Sequence, residues 1–214
     1  MGPLQQHQPG EAWELRVFAA RGALAGLAVE LLGASLGWSL ELRLSAALGA
    51  AVLAAGPREA RLALDPGRLR FAAAGSWLGL ACAAVFLPLL CVWLLPEGSM
   101  AAWVRPRVPQ LAGPLWVAVL SSAIAAPAME ELLHRGLIQR GLSRALGAGP
   151  AGLLSAAGFT AVHGLAGAGA GPQHFLAGLA LAAVAERSRG WWAPAMLHAA
   201  GNLGWLLAAR VLAG

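Results

Sequence analysis

Two adjacent carboxylates, Glu130 and Glu131, end a strongly apolar stretch and are followed by Arg135. A carboxylate at membrane depth costs roughly 2.5–3.5 kcal/mol on insertion scales that measure the comparable aspartate, so a pair there needs a reason. Two later apolar segments each carry polar side chains at helical spacing, Phe159 with His163 and His198 with Asn202. Carboxylates and imidazoles are the groups that carry protons in catalysis. Gathered within an otherwise apolar chain, they read as a hydrolase acting inside a membrane.

Spacing refines the roles. Residues four apart share a helix face, while sequence neighbours point about 100° apart. Glu131 and Arg135 are therefore one-face partners, with the glutamate on the N-terminal side, the better orientation for an ion pair. Glu130 points elsewhere and can serve as a base. His134 shares its face, and could hydrogen-bond it or sit at the membrane interface. Plainer readings stand beside these: a buried Glu–Arg pair that fixes helix packing, an interhelical hydrogen bond from His163, and a polar packing pair made by His198 and Asn202. What joins them is depth. Glu130, His163 and His198 should each lie roughly two to four helical turns from a cytoplasmic loop, so three helices could bring them to one cavity.

The elements that must position these residues follow from composition. Hydrophobic residues make up 58% of the 214 and charged ones only 12%, outside the range of a soluble globular domain. The apolar runs are continuous, which excludes the period-two alternation of a β-barrel. The expected fold is all-α: a polytopic transmembrane helical bundle of about seven spans, near Gly22–Leu40, Leu44–Ala55, Phe71–Leu95, Leu111–Leu133, Ala151–Ala168, Phe175–Ala185 and Trp192–Val211. The second and sixth are short for a span. The fourth could continue as helix past Arg135 toward Ser143. Arginines crowd alternate loops (Arg58, Arg61, Arg68 and Arg70; Arg140 and Arg144; Arg187 and Arg189), which puts the N-terminus in the cytoplasm and the active site toward that side.

The net charge of +5 is spread over short connections, so it does not suggest nucleic acid as a partner. Lysine and tyrosine are absent, and the Ala, Gly and Arg bias hints at a GC-rich bacterial source and its inner membrane. Cys82 and Cys91 share one apolar segment and form neither a disulfide framework nor a zinc knuckle. Residues Met1 to Trp13 lack the pattern of a cleavable signal. The pairs Gly22/Gly26, Gly33/Gly37 and Gly75/Gly79 suit close helix packing. Trp13, Trp38, Trp93, Trp103, Trp191 and Trp192 suit interfacial anchoring.

Taken in order, Glu130-Glu131-x-x-x-Arg135, Phe159-x-x-x-His163 and His198-x-x-x-Asn202 resemble the three-motif signature of the CPBP family. These are the CAAX-protease and bacteriocin-processing intramembrane proteases, also called the Abi or lysostaphin-resistance type. The resemblance covers about Leu111 to the C-terminus, which suggests a protease core over residues 111–214 behind a variable transmembrane region at 1–110. It implies an intramembrane endopeptidase in which Glu130, as general base, and His163 hold and activate water. His198 and Asn202 would stabilise the oxyanion, and Glu131 with Arg135 would fix the helix that carries Glu130. It implies a membrane-anchored protein or peptide as substrate, in the setting of the lipid bilayer. No cofactor is required by this scheme. A divalent metal such as zinc is an open alternative, with Glu130, His163 and His198 as its ligands and water in the fourth position. Two other functions compete: a non-catalytic membrane scaffold or immunity protein of the same fold, and a proton-linked transporter using Glu30, Glu130 and the histidines as a relay.

Overall fold

The computed structural model describes residues 9–57, 61, 113–166 and 171–213. The expectations placed on Phe71–Leu95, on Cys82 and Cys91, on Gly75/Gly79 and on Trp93 and Trp103 lie outside these residues. Among the described residues the chain is helical and without strands. The described residues form six helices: α1 (Pro9–Ser35), α2 (Leu40–Ala55), α3 (Leu115–Leu146), α4 (Ala148–Leu165), α5 (Pro172–Ser188) and α6 (Trp192–Ala213).

The first expected span, Gly22–Leu40, is broken before its end. The Trp38 N–H reaches back to the Gly33 carbonyl at 2.9 Å and the Gly37 N–H to that of Ala34 at 3.2 Å. These bonds form the Schellman closure of a helix, and Gly37 supplies it with a φ of +70°, where a Cβ would be strained. Gly37 is thus a turn residue and not the packing residue its spacing with Gly33 suggests. Ser39 then accepts the Leu42 N–H and caps α2. The short second and sixth spans extend into their flanks as α2 and α5. The fourth continues past Arg135 as expected and ends at Gly147, whose φ of +85° turns the chain directly into α4.

Among the described residues α3 is the one helix long and apolar enough to cross a membrane. Helix α6 has the length, but it contains His198, Asn202 and Arg210. On α3, Trp116, Leu120 and Ile124 form an exposed apolar stripe, each more than half accessible. Hydrocarbon solvates such a face at no cost, whereas water does not.

The chain divides into two compact units, residues 1–65 with 133–182 and residues 66–132 with 183–214. In the first, small residues let backbones approach closely. A Cβ built on Gly22 would lie 2.5 Å from the Ala55 Cβ and 2.9 Å from the Ala51 carbonyl oxygen, so α1 and α2 touch backbone to backbone there. Gly26 repeats the contact with Ala51 and also meets Leu133 of α3. At Gly141 a Cβ would run into the Ala19 carbonyl, which fixes α1 against the last turns of α3. Leu133, Ile138, Ala156, Phe159 and Val162 complete this core. In the second unit α6 packs on the first half of α3, with Leu206 and Leu203 against Ala118 and Ala123.

Candidate active site

Helix α3 is not regular. It widens to π geometry over Val119–Ala125, returns to α over Ala126–Glu131, and widens again over Leu132–Gln139. Such widening is rare and often accompanies functional sites. The first π segment has a local cause and a consequence. Pro127 has no N–H, and the Ala126 N–H is drawn to the Ser121 carbonyl, five residues back. The Ser122 carbonyl is thereby deprived of both backbone donors that would ordinarily reach it, at positions i+4 and i+5. Asn202 fills the vacancy: its Nδ2 donates to the Ser122 oxygen at 2.9 Å. A carbonyl can only accept, so this bond fixes which end of the carboxamide faces it, and one hydrogen on Nδ2 remains for another acceptor.

One turn earlier on α6, His198 lies between the two glutamates. Its Nδ1 is 2.9 Å from Glu131 Oε1, and its Nε2 is 3.8 Å from Glu130 Oε2. Glu131 is fully buried, Glu130 nearly so, and His198 is 13% exposed. The short contact holds a proton between Nδ1 and the carboxylate. Whenever the Glu131–His198 pair carries no net charge, Nε2 bears a hydrogen, whichever of the two atoms holds the shared proton. At 3.8 Å, Glu130 Oε2 and Nε2 are too far apart for a good direct hydrogen bond. A third oxygen at about 2.8 Å from each still fits between them.

Arg135, Phe159 and His163 belong to the other compact unit. Arg135 is buried and anchored at two points: Nη1 donates to Ser155 Oγ at 2.8 Å and Nη2 to the Gly178 carbonyl at 3.3 Å. Ser155 in turn donates to the His134 carbonyl at 3.1 Å. The Arg135 guanidinium lies 5.6 Å from the centre of the Phe159 ring, within cation–π range. His163 is half-buried, its Nδ1 2.8 Å from the Phe159 carbonyl. The carbonyl accepts, so Nδ1 carries the hydrogen, and neutral His163 presents its lone pair on Nε2, as a base needs.

Four residues escaped the motif reading. Ser122 and Ser155 have no sequence signal, being hydroxyl residues outside any motif in apolar helices. His174 lies in α5 with its ring 5.1 Å from that of His163. His134, expected beside Glu130 or at the membrane interface, is instead 1% exposed and has its Nε2 3.0 Å from Glu30 Oε2 in α1. Among the described residues no three His, Cys, Asp or Glu side chains gather as a metal ion requires.

Residues 112–204 match the family of Rce1-like type II CAAX prenyl endopeptidases. No curated protein and no solved structure gives a significant match. The matched segment contains Glu130, Glu131, Arg135, His163, His198 and Asn202, and across it the chain is similar to the Rce1-like type, consistent with the CPBP family.

Proposed function

We propose that this protein is an intramembrane endopeptidase that cleaves a membrane-associated protein or peptide with water activated by Glu130, without a metal. The observation that carries the proposal is the placement of His198 between Glu131 and Glu130 inside an apolar helix pair. In the reaction Glu130 takes a proton from water as its oxygen attacks the scissile carbonyl carbon. The carbonyl π electrons move to oxygen, and the resulting oxyanion is met by the Nε2 hydrogen of His198 and the remaining Nδ2 hydrogen of Asn202. Collapse of the tetrahedral intermediate expels the amine, which receives the proton held by Glu130. The motif resemblance gives His163, with its basic Nε2, a share in activating water. Glu131 is a positioning residue for His198, and Arg135 for the helix that carries the carboxylates.

The match to a protease family over residues 112–204 and the apolar helix α3 support an integral membrane peptidase. We place residues 111–214 as its catalytic core and the N-terminus in the cytoplasm, in a bacterial inner membrane. The test compares peptide termini in membranes of cells making the native protein or Glu130→Gln, which removes the base and nearly keeps the shape. Termini that depend on Glu130, persist with a chelator present, and fall about 10²–10⁴-fold in rate in the variant are expected. Identical termini from two well-inserted proteins would leave the chain a scaffold.

A further inference from the structure

A second buried polar cluster lies outside the motif residues, and it begins in the N-terminal region. Glu30 of α1 and His134 of α3 are each 1% exposed and 3.0 Å apart, an ion-pair distance whose alignment falls short of a hydrogen bond. The other ring nitrogen of His134, Nδ1, is buried with no hydrogen-bond partner. Glu30 is therefore the polar tether of that ring. The ring's apolar contact is with Phe159, which it meets edge-on, centroids 5.3 Å apart at 84°. Phe159 in turn sets His163 twice over. Its ring lies 4.3 Å from the His163 ring and its carbonyl accepts the Nδ1 hydrogen. The charge of Arg43, itself buried, also acts on Glu30.

A buried ion pair is weak evidence for stability, since apolar residues of similar volume often serve as well or better. In a chain this apolar the pair points to function. We propose that Glu30 is a positioning residue for His163, holding His134 against Phe159 so that His163 keeps its hydrogen on Nδ1 and its lone pair on Nε2. The proposal rests on the protease reading for its consequence in catalysis, but its geometry stands separately. It gives α1 a part in setting His163, a share the motifs do not assign to the N-terminal region.

The test uses the full chain in lipid nanodiscs with ¹⁵N-labelled histidine, the His163 signals being assigned with His163→Gln. In the native protein His163 is expected as a single Nδ1–H tautomer. Glu30→Gln should mix the tautomers and lower kcat roughly 10- to 100-fold, the range found when a partner that orients a functional histidine is removed. KM should stay within about twofold, and Glu30→Asp should recover most of both effects. Unchanged His163 signals in Glu30→Gln would overturn the proposal. So would a loss confined to KM. If the native protein cleaves nothing, the protease reading fails and the tautomer measurement alone decides this one. Should Glu30→Gln not fold, His134→Gln carries the same test, because it removes the ring that packs on Phe159.

Discussion

At the scale of single residues, the feature with most consequence is the proton shared by Glu131 and His198. An oxyanion needs a hydrogen on His198 Nε2, and a histidine alone distributes its hydrogen between two nitrogens. The buried carboxylate engages Nδ1, and while the pair carries no net charge the proton shared there leaves the other hydrogen on Nε2. Glu131→Ala should lower kcat about 10²–10³-fold, the cost of one oxyanion donor. Glu131→Gln should recover part of it, because a carboxamide can donate to Nδ1 and leave the hydrogen on Nε2. Steady-state rates on the substrate found through Glu130→Gln check this; an alanine variant as active as the glutamine one would remove Glu131 from the scheme. Residue types and spacing were enough to single out Glu130, Glu131, His163, His198 and Asn202. Spacing suggested Arg135 as the partner of Glu131. The fold adds that Glu131 serves His198, and that Arg135 is held by Ser155 and Gly178.

At the scale of elements, α3 shows how a helix defect becomes useful. Pro127 and the π turn before it leave the Ser122 carbonyl open, and Asn202 closes it. A proline inside a helix costs about 3 kcal/mol or more, and here the expense orients a carboxamide. Pro127→Ala restores an N–H that competes for the same carbonyl. The variant should therefore gain thermal stability in detergent while losing about tenfold or more in kcat, given that loss of one donor costs about 10²–10³. Calorimetry and a cleavage assay on the same preparation would show the two moving in opposite directions. If activity is kept, the link from Pro127 to Asn202 is wrong. This device was partly legible. A proline three residues before paired glutamates is visible in the chain, but the carbonyl it strands, and the side chain that answers it 80 residues later, depend on how α6 packs on α3.

At the scale of the whole molecule, the arginines of alternate loops predict the topology, and α3 is the helix that carries the prediction. Cysteines introduced singly at Gly113 and at Gly147, on either side of α3, should label from opposite faces of sealed inverted vesicles, with Gly147 on the cytoplasmic side. Labelling of both from one face would overturn the crossing and the orientation together. The chain's composition alone determined that it is helical and of the membrane, since continuous apolar runs leave no other way to satisfy the backbone. Its motif spacing determined which side chains could do chemistry, because a helix puts residues four apart on one face whatever surrounds it. The break at Gly37 was less visible, as a glycine in an apolar run reads equally as a packing contact and as a turn. Only the tertiary structure decided that Glu30 belongs with His134, over 100 positions apart in sequence, and that His198 faces both glutamates. Local spacing reports the face of a helix and not its neighbour. Partnership between helices is settled by close packing, where small residues such as Gly22, Gly26 and Gly141 let backbones meet and thereby choose which polar groups are buried together.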